Sequence, residues 1–493
     1  MLVAALAQLR LAVALVTGRP IPLWALDRLV AAARDTVREF GQIGPDGEHT
    51  LSGPSLDTAT RREMQLRRFR TQGGRAAAGT AYYADLFTAR GLKPGDLNWD
   101  DIACLPVTTK AALRERPDDF IHRGIRPVLR STTTGTTGRP TQVSFSSREL
   151  ETLERFSALG SLLAGQIRPD DVVVNAMSSR ASLGNLSLAG ACRQIGALLL
   201  PNGLVDPRLT LDLLRQPVRT SGRASKAPVL CTYPSYLGEL VELGVAARYG
   251  PADFGLRRIA VGGEVVTDGL ILRARCLFGE EVVIETGYAM TETYPFAGMP
   301  CEQGHLHFEP SHGLVEVIDP ETGASCPPCE IGTLVVTPFP PYRETTLLLR
   351  YDTEDVVRAV DEPLTCRHRH LPATGPVLGK RRLGVFHDQG WTWPAEVLGA
   401  LEEIDEVPLP ARCGIWAEPG GIGLDVVVRE ETFETRYRIE ESLVQHGVPV
   451  VTMRLVTDRA LLRQPLPLRC DLREMGFQPA EPIFVSELVE AGR

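Results

Sequence analysis

Lysine is scarce in this 493-residue chain: of its 53 basic residues only Lys93, Lys110, Lys226 and Lys380 are lysines, and none follows Lys380. Any catalytic ammonium must come from those four positions. Basic charge is not in excess either. A net charge of −8 excludes a general nucleic-acid binder, which needs a basic face to neutralise phosphates, but it leaves room for a local loop that binds a nucleotide. No apolar run reaches the roughly 20 residues that a membrane-spanning helix needs, so no membrane partner is expected. The ten cysteines are scattered, which fits free thiols or a metal site in a reducing, cytoplasmic compartment better than a disulfide framework. The apolar start, residues 1–18, is interrupted by Arg10 and has no basic leader, so it is expected to form an amphipathic helix packed on the body. Internal repeats and low-complexity tracts are also lacking.

The length exceeds what one ordinary core supports, so a large domain and a smaller one are expected. Residues 1–80 have a helical pattern with Arg-rich polar faces (Arg61, Arg62, Arg67, Arg68 and Arg70), broken by a loop over 46–54. From about 100 to 360, short β-branched runs at 172–174, 229–232 and 282–284 alternate with helical stretches and Gly-rich turns. That is the pattern of an α/β fold with a parallel sheet and covering helices. Runs at 314–318 and 333–337 flank Asp319-Pro-Glu-Thr-Gly323, which has the composition of a β-turn. After Gly379 a smaller α+β segment follows, with strands near 423–428 and 450–455 and a helix near 432–446. The expected domains are therefore 1–379, with 1–80 as a helical extension, and 380–493.

The most distinctive stretch is Ser131-Thr-Thr-Thr-Gly-Thr-Thr-Gly-Arg-Pro-Thr141, followed by the strand-like residues 142–145. Gly135 and Gly138 free the backbone to turn its amides toward an anion. The hydroxyls of Thr133, Thr134, Thr136 and Thr137 add donors, and Arg139 adds charge. The spacing is not that of a Gly-x-x-x-x-Gly-Lys-Ser/Thr loop. It resembles the phosphate loop of the adenylate-forming superfamily, of acyl-CoA ligases and peptide-synthetase adenylation domains. The upstream stretches Ala81-Tyr-Tyr-Ala-Asp-Leu-Phe87 and Leu105-Pro-Val-Thr-Thr-Lys110 resemble the phenylacetate–CoA ligase branch in particular. The resemblance implies a large adenylate-forming domain with mixed sheets and helices and a small, mobile α+β C-terminal domain.

Further motifs occur in the order this family shows. Val261-Gly262-Gly263-Glu264 resembles its adenine-binding turn, where two glycines let the backbone approach a base. Thr286-Gly-Tyr-Ala-Met-Thr-Glu292 resembles its most diagnostic motif. By resemblance, Tyr288 stacks on adenine, Thr291 touches phosphate, and Glu292 helps hold Mg²⁺, a hard cation suited to carboxylate oxygen. Thr136, Arg139 and Glu292 are then the catalytic contacts. Arg350-Tyr-Asp-Thr-Glu-Asp355 resembles the ribose-binding strand end, with Asp355 accepting from both hydroxyls. Gly379-Lys380-Arg-Arg-Leu383 stands where the family's hinge has an acidic residue, and Lys380 is counted among the nucleotide contacts. The acyl pocket is expected near 182–190 and at Tyr233, Ser235, Tyr236 and Gly287, with the two tyrosines favouring an aromatic or planar acid.

The family's lysine close to the C-terminus is missing. The corresponding stretch, residues 463–470, offers only Arg463 and Arg469. The resemblance implies ATP- and Mg²⁺-dependent activation of a carboxylic acid and transfer to coenzyme A. Two other readings stay open: transfer to an amine, hydrazine or carrier-protein thiol, and a non-catalytic nucleotide- or acyl-binding relative. A homodimer is implied only by resemblance. Some members of the branch bind a structural zinc. Here Cys301 with His307, and Cys366 with His368, match their ligand positions and give a tetrahedral set of two thiolates and two imidazoles. Cys326 and Cys329 have metal-like spacing of their own, with free thiols equally open. His312 and His387 are expected on the surface.

Overall fold

The computed structural model describes residues 2–43, 56–132, 140–179, 182–220, 223–361 and 363–461. The loop residues 133–139, the expected loop at 46–54 and the stretch 463–470 lie outside the described residues.

An 11-stranded mixed sheet forms the body. One half is parallel and runs from the edge strand Leu198–Pro201 through Val172–Ala176, Val229–Thr232 and Arg258–Gly262 to Val283–Ala289. The other half is antiparallel and continues through Ala297–Pro300, Leu306–Phe308, Ala373–Lys380, Tyr351–Ala359 and Ile331–Pro338 to Gly313–Ile318. The halves meet at Val283–Ala289, the strand that leads into Glu292.

The central parallel strands Val172–Ala176 and Val229–Thr232 are buried along their whole length, because helices cover both faces. Side-chain alternation divides them between two cores. Val173 packs with Leu159 and Ile195 on one face. Val172 and Val174 pack with Leu237 and Leu270 on the other. The short runs expected at 172–174, 229–232 and 282–284 are the starts or the whole of these strands.

The small C-terminal domain has a three-stranded sheet, Cys413–Glu418, Gly421–Val427 and Val450–Val456, with the helices Pro394–Glu402 and Phe433–Gln445. Its own core includes Ile415, Leu424, Ile439 and Leu455. It docks on the large body where Gly269 leaves no space for a Cβ against the Glu402 backbone. Arg273 bridges Glu242 (2.7 Å) and the Val407 carbonyl (2.9 Å) across that contact.

Three sequence expectations are corrected by burial. The helix Thr58–Gly79 is not simply polar on its arginine side: Arg61 and Arg68 are buried. Arg68 donates to the carbonyls of Ser311 (2.9 Å) and Pro340 (3.0 Å). A guanidinium with five donors can close off loop carbonyls that no secondary structure pairs, so charge in the sequence did not mean surface. His387 is buried and bonded to the Thr392 hydroxyl at 3.0 Å. His312 lies against the Tyr342 ring, centroids 4.4 Å apart. Burial, and secondarily Arg68, push its pKa down to about 3.

Candidate active site

In open α/β sheets, ligands bind beyond the carboxyl ends of the parallel strands. Here those ends carry Tyr233–Ser235, Gly262–Glu264 and Tyr288–Glu292. Gly263 has φ +86°, and a Cβ there would lie 3.2 Å from the Tyr233 ring. Glu264 is held in place: its carboxylate accepts from the Ser235 amide at 2.8 Å and the Ser235 hydroxyl at 2.6 Å. The glycine turn and the first turn of the helix Pro234–Ala246 are thus tied together. Gly262 pairs with Gly287 across the sheet, and a Cβ on Gly262 would meet the Gly287 carbonyl at 3.4 Å.

Tyr236 departs from its expected place in a pocket wall. It is buried, and its hydroxyl is engaged by Thr210 (2.6 Å) and the Val205 carbonyl (2.9 Å). Helix periodicity sends residue 236 into the core beneath Tyr233.

Two buried carboxylates face the same region, each with a lysine. Glu292 accepts from the Tyr351 hydroxyl at 3.1 Å, and Lys110 Nζ lies 3.6 Å from its Oε1. That separation is too long for a direct hydrogen bond. Burial lowers the Lys110 pKa, and Glu292 opposes the shift. Lys110 opens the short helix Lys110–Glu115. One turn later Arg114 donates to the Thr141 hydroxyl at 3.2 Å, at the foot of the threonine loop. Burial, and then Glu292, raise the Tyr351 pKa well above the usual phenol value, so it serves as a donor.

Asp355 is the second carboxylate. Lys380 Nζ sits 2.7 Å from its Oδ1, and the Tyr288 hydroxyl donates to its Oδ2 at 2.8 Å. Asp355 and Lys380 are register partners on adjacent antiparallel strands, and Lys380 also donates to the Thr353 carbonyl at 3.1 Å. A carboxylate has about four acceptor positions, so two remain for a ligand. Tyr288 is thereby fixed at its hydroxyl end, and its ring meets Phe308 edge-on, centroids 6.4 Å apart. Thr291 stands in the turn before Glu292.

Sequence reasoning missed Lys110, Arg114 and Tyr351. The scarcity of lysine was the available signal for the first of them.

A second cluster lies on the antiparallel half. Ligand atoms of Cys301, His305, His307 and Cys366 all lie within 4.8 Å of one another. Cys366 Sγ is 3.2 Å from His307 Nε2, near the ~3.5 Å that separates S and N ligands on a tetrahedral zinc. Burial, with His368 secondary, lowers the His307 pKa to about 4, so it is neutral. The convergent set contains His305, where His368 was expected. A tight turn with Gly304 at φ +77° brings His305 back over Cys301, whose amide donates to the His305 carbonyl at 3.0 Å. His368 instead packs beside His307, ring centroids 5.5 Å apart. Cys326 and Cys329 are free thiols.

The AMP-binding enzyme family model matches residues 126–338, the span from the threonine loop to the end of the strand Ile331–Pro338. Phenylacetate–coenzyme A ligases are similar over most of the chain. That of Thermus thermophilus is 28% identical over 369 residues, covering 72% of this chain and 78% of the relative. That of Pseudomonas putida is 26% identical over 327 residues, covering 64% and 70%. This chain is similar to the adenylate-forming superfamily and, within it, to the phenylacetate–CoA ligase branch. A solved 2-hydroxyisobutyryl-CoA ligase in the postadenylation state superposes on this chain with a TM-score of 0.68 at 19% identity. The match covers 89% of this chain and 92% of the other, and it shows the shared fold.

Proposed function

We propose that this ligase uses ATP and Mg²⁺ to convert a carboxylic acid to its acyl adenylate and then transfers the acyl group to coenzyme A. The observation that carries the reading is the pair of buried carboxylates, Glu292 and Asp355, each held by a lysine at the carboxyl end of the parallel half-sheet of an AMP-binding fold. In the first step a carboxylate oxygen attacks the α-phosphorus in line, and the bond to the β-phosphate bridging oxygen breaks to release pyrophosphate. Positioning and electrostatics carry most of such catalysis. Asp355 and Tyr288 would hold the ribose and the base. The threonine loop, with Thr136 and Arg139, would hold the phosphates. Glu292 would supply the carboxylate oxygen for Mg²⁺, whose charge offsets that of the phosphates. Lys110 stands where a cation is needed as pyrophosphate leaves, in a chain whose C-terminal part has no lysine. Tyr233 on the glycine turn favours an aromatic or planar acid.

The acceptor is the less constrained part. The hinge position Lys380 is tied to Asp355, and this altered hinge favours a second reading in which an amine, hydrazine or carrier-protein thiol takes the acyl group. We place the domain boundary at Gly379, supported by its φ of +143°. Pyrophosphate release across aryl and alkyl acids, with and without coenzyme A, tests both readings. Acid-dependent release with thioester formation is expected. Acid-dependent release without any thioester would favour the second reading.

We also propose a structural zinc on Cys301, His305, His307 and Cys366. The purified protein should then carry one zinc per chain, and Cys366→Ser should lose it and melt at a lower temperature. Metal-free protein with unchanged melting would overturn this assignment.

A further inference from the structure

The helix Leu2–Thr17 is apolar on every side. Its inner edge, Ala7, Leu11 and Ala14, is buried against the body. Its outer face is apolar as well: Val3 is 54% exposed, Leu6 47%, Leu9 59% and Val13 45%. A helix that is hydrophobic all round is ordinarily covered on all sides. The helix Phe433–Gln445 shows the contrast. Its exposed Phe433 and Tyr437 are interleaved with Glu434, Arg436 and Arg438, as on a solvated face. The only charge in the first helix is Arg10.

The stretch that carries this face is cationic. The first 26 residues contain no Asp or Glu, although the chain as a whole carries −8. Arg10 and Arg19 are exposed in this stretch, and the first acid, Asp27, is paired with Arg155 at 2.6 Å. Trp24, 44% exposed, follows at the start of the next helix, Leu23–Phe40. Exposed apolar side chains gain by entering the headgroup and acyl boundary of a bilayer, and arginines are attracted to anionic headgroups. Arginine stems run along apolar surface while their heads reach phosphate.

We propose that the outer face of the helix Leu2–Thr17 docks on an anionic lipid surface, with the helix axis parallel to the bilayer plane. The charge pattern is complementary to such a surface. A second copy of the chain fits less well. The 16-residue helix is about 24 Å long and about 10 Å across, a footprint of roughly 240 Å². A stable protein interface needs about 800 Å² from each partner. Lipid binding has no such threshold and grows with buried apolar area and with attraction to anionic headgroups. No helix among the described residues is long and apolar enough to cross a membrane, and lying on one needs only a single apolar face.

The test is co-sedimentation of the full-length protein with vesicles of phosphatidylcholine alone and of phosphatidylcholine with 30% phosphatidylglycerol. The wild type should pellet with the anionic vesicles and much less with the neutral ones. Leu6→Glu/Leu9→Glu should reduce partitioning at least tenfold with an unchanged melting temperature, because both side chains already face solvent. Arg10→Gln/Arg19→Gln should weaken binding to anionic vesicles only. Wild-type protein that stays in the supernatant with both vesicle types would overturn the proposal, as would a Leu6→Glu/Leu9→Glu variant that binds equally well. A dimeric wild type that the same variant converts to monomer would assign the face to subunit contact and also overturn it.

Discussion

Among the described residues, buried ion pairs take two different forms. The arginine pairs hold packed elements together, and the Arg350 pair is saturated. Arg350 grips both oxygens of Glu316 (3.2 and 3.0 Å) and donates to the carbonyls of Ala103 (2.7 Å) and Leu105. Arg343 lies over the Phe145 ring at 4.2 Å and faces Glu149. Glu149 in turn accepts from the amides of Ser146 (2.7 Å) and Glu344 (2.8 Å). The lysine pairs are open. Among the described residues Lys110 reaches Glu292 only at 3.6 Å and makes no hydrogen bond, and Asp355 keeps acceptor positions beyond Lys380 and Tyr288. A guanidinium fork fixes several groups at once, whereas an ammonium is a compact charge with rotatable donors. In a chain this poor in lysine, Arg350 ties elements together while Lys110 and Lys380 stand at carboxylates with acceptor positions to spare, where the proposed nucleotide would bind.

The largest effect that would sharpen this contrast is expected at Lys110. Lys110→Met should lower the rate of adenylate formation about 10²–10³-fold, the usual cost of one lost electrostatic contact in an active site, with the fold intact by circular dichroism. A variant that unfolds instead would place Lys110 among the structural pairs. Glu316→Gln should behave in the opposite way. It leaves Arg350 buried without its counter-charge, which commonly costs about 3–5 kcal/mol, readable as a lowered urea midpoint.

Smaller effects follow. Tyr288→Phe removes one hydrogen bond to Asp355, about 1 kcal/mol, so ATP affinity measured by calorimetry should fall roughly fivefold. Affinity that stays the same would mean that Tyr288 does not orient Asp355 for the nucleotide. His312 should confer acid sensitivity. Its pKa of about 3 in the fold lies below the ordinary 6.5, so the unfolded chain binds the proton more readily. Stability is full above pH 6.5 and is lost as the pH falls toward 3. His312→Phe should flatten the melting temperature over that range, and an unchanged slope would count against the buried, neutral imidazole.

The parallel half of the sheet was legible because buried strands are written as β-branched runs, such as Val172 to Val174. The strands Ala297–Pro300 and Leu306–Phe308 were not, since three or four residues carry no period. Glu292 and Asp355 were legible as motif positions. Lys110 was visible as part of a motif but had no role, because only folding brings residue 110 to residue 292. Arg68 and His387 were misread as surface because a polar side chain in a sequence does not reveal the carbonyl or hydroxyl that partners it. The exchange of His305 for His368 depends on one glycine turn, a backbone event that ligand spacing does not encode.

The central claim is that the open lysine–carboxylate pairs serve adenylation in a chain without a C-terminal lysine. Pyrophosphate release from ATP and Mg²⁺ with a panel of carboxylic acids, beside Glu292→Gln, tests it most directly. Acid-dependent release that the variant loses by at least 10²-fold is the expected result. Release that proceeds equally in the variant would contradict the account.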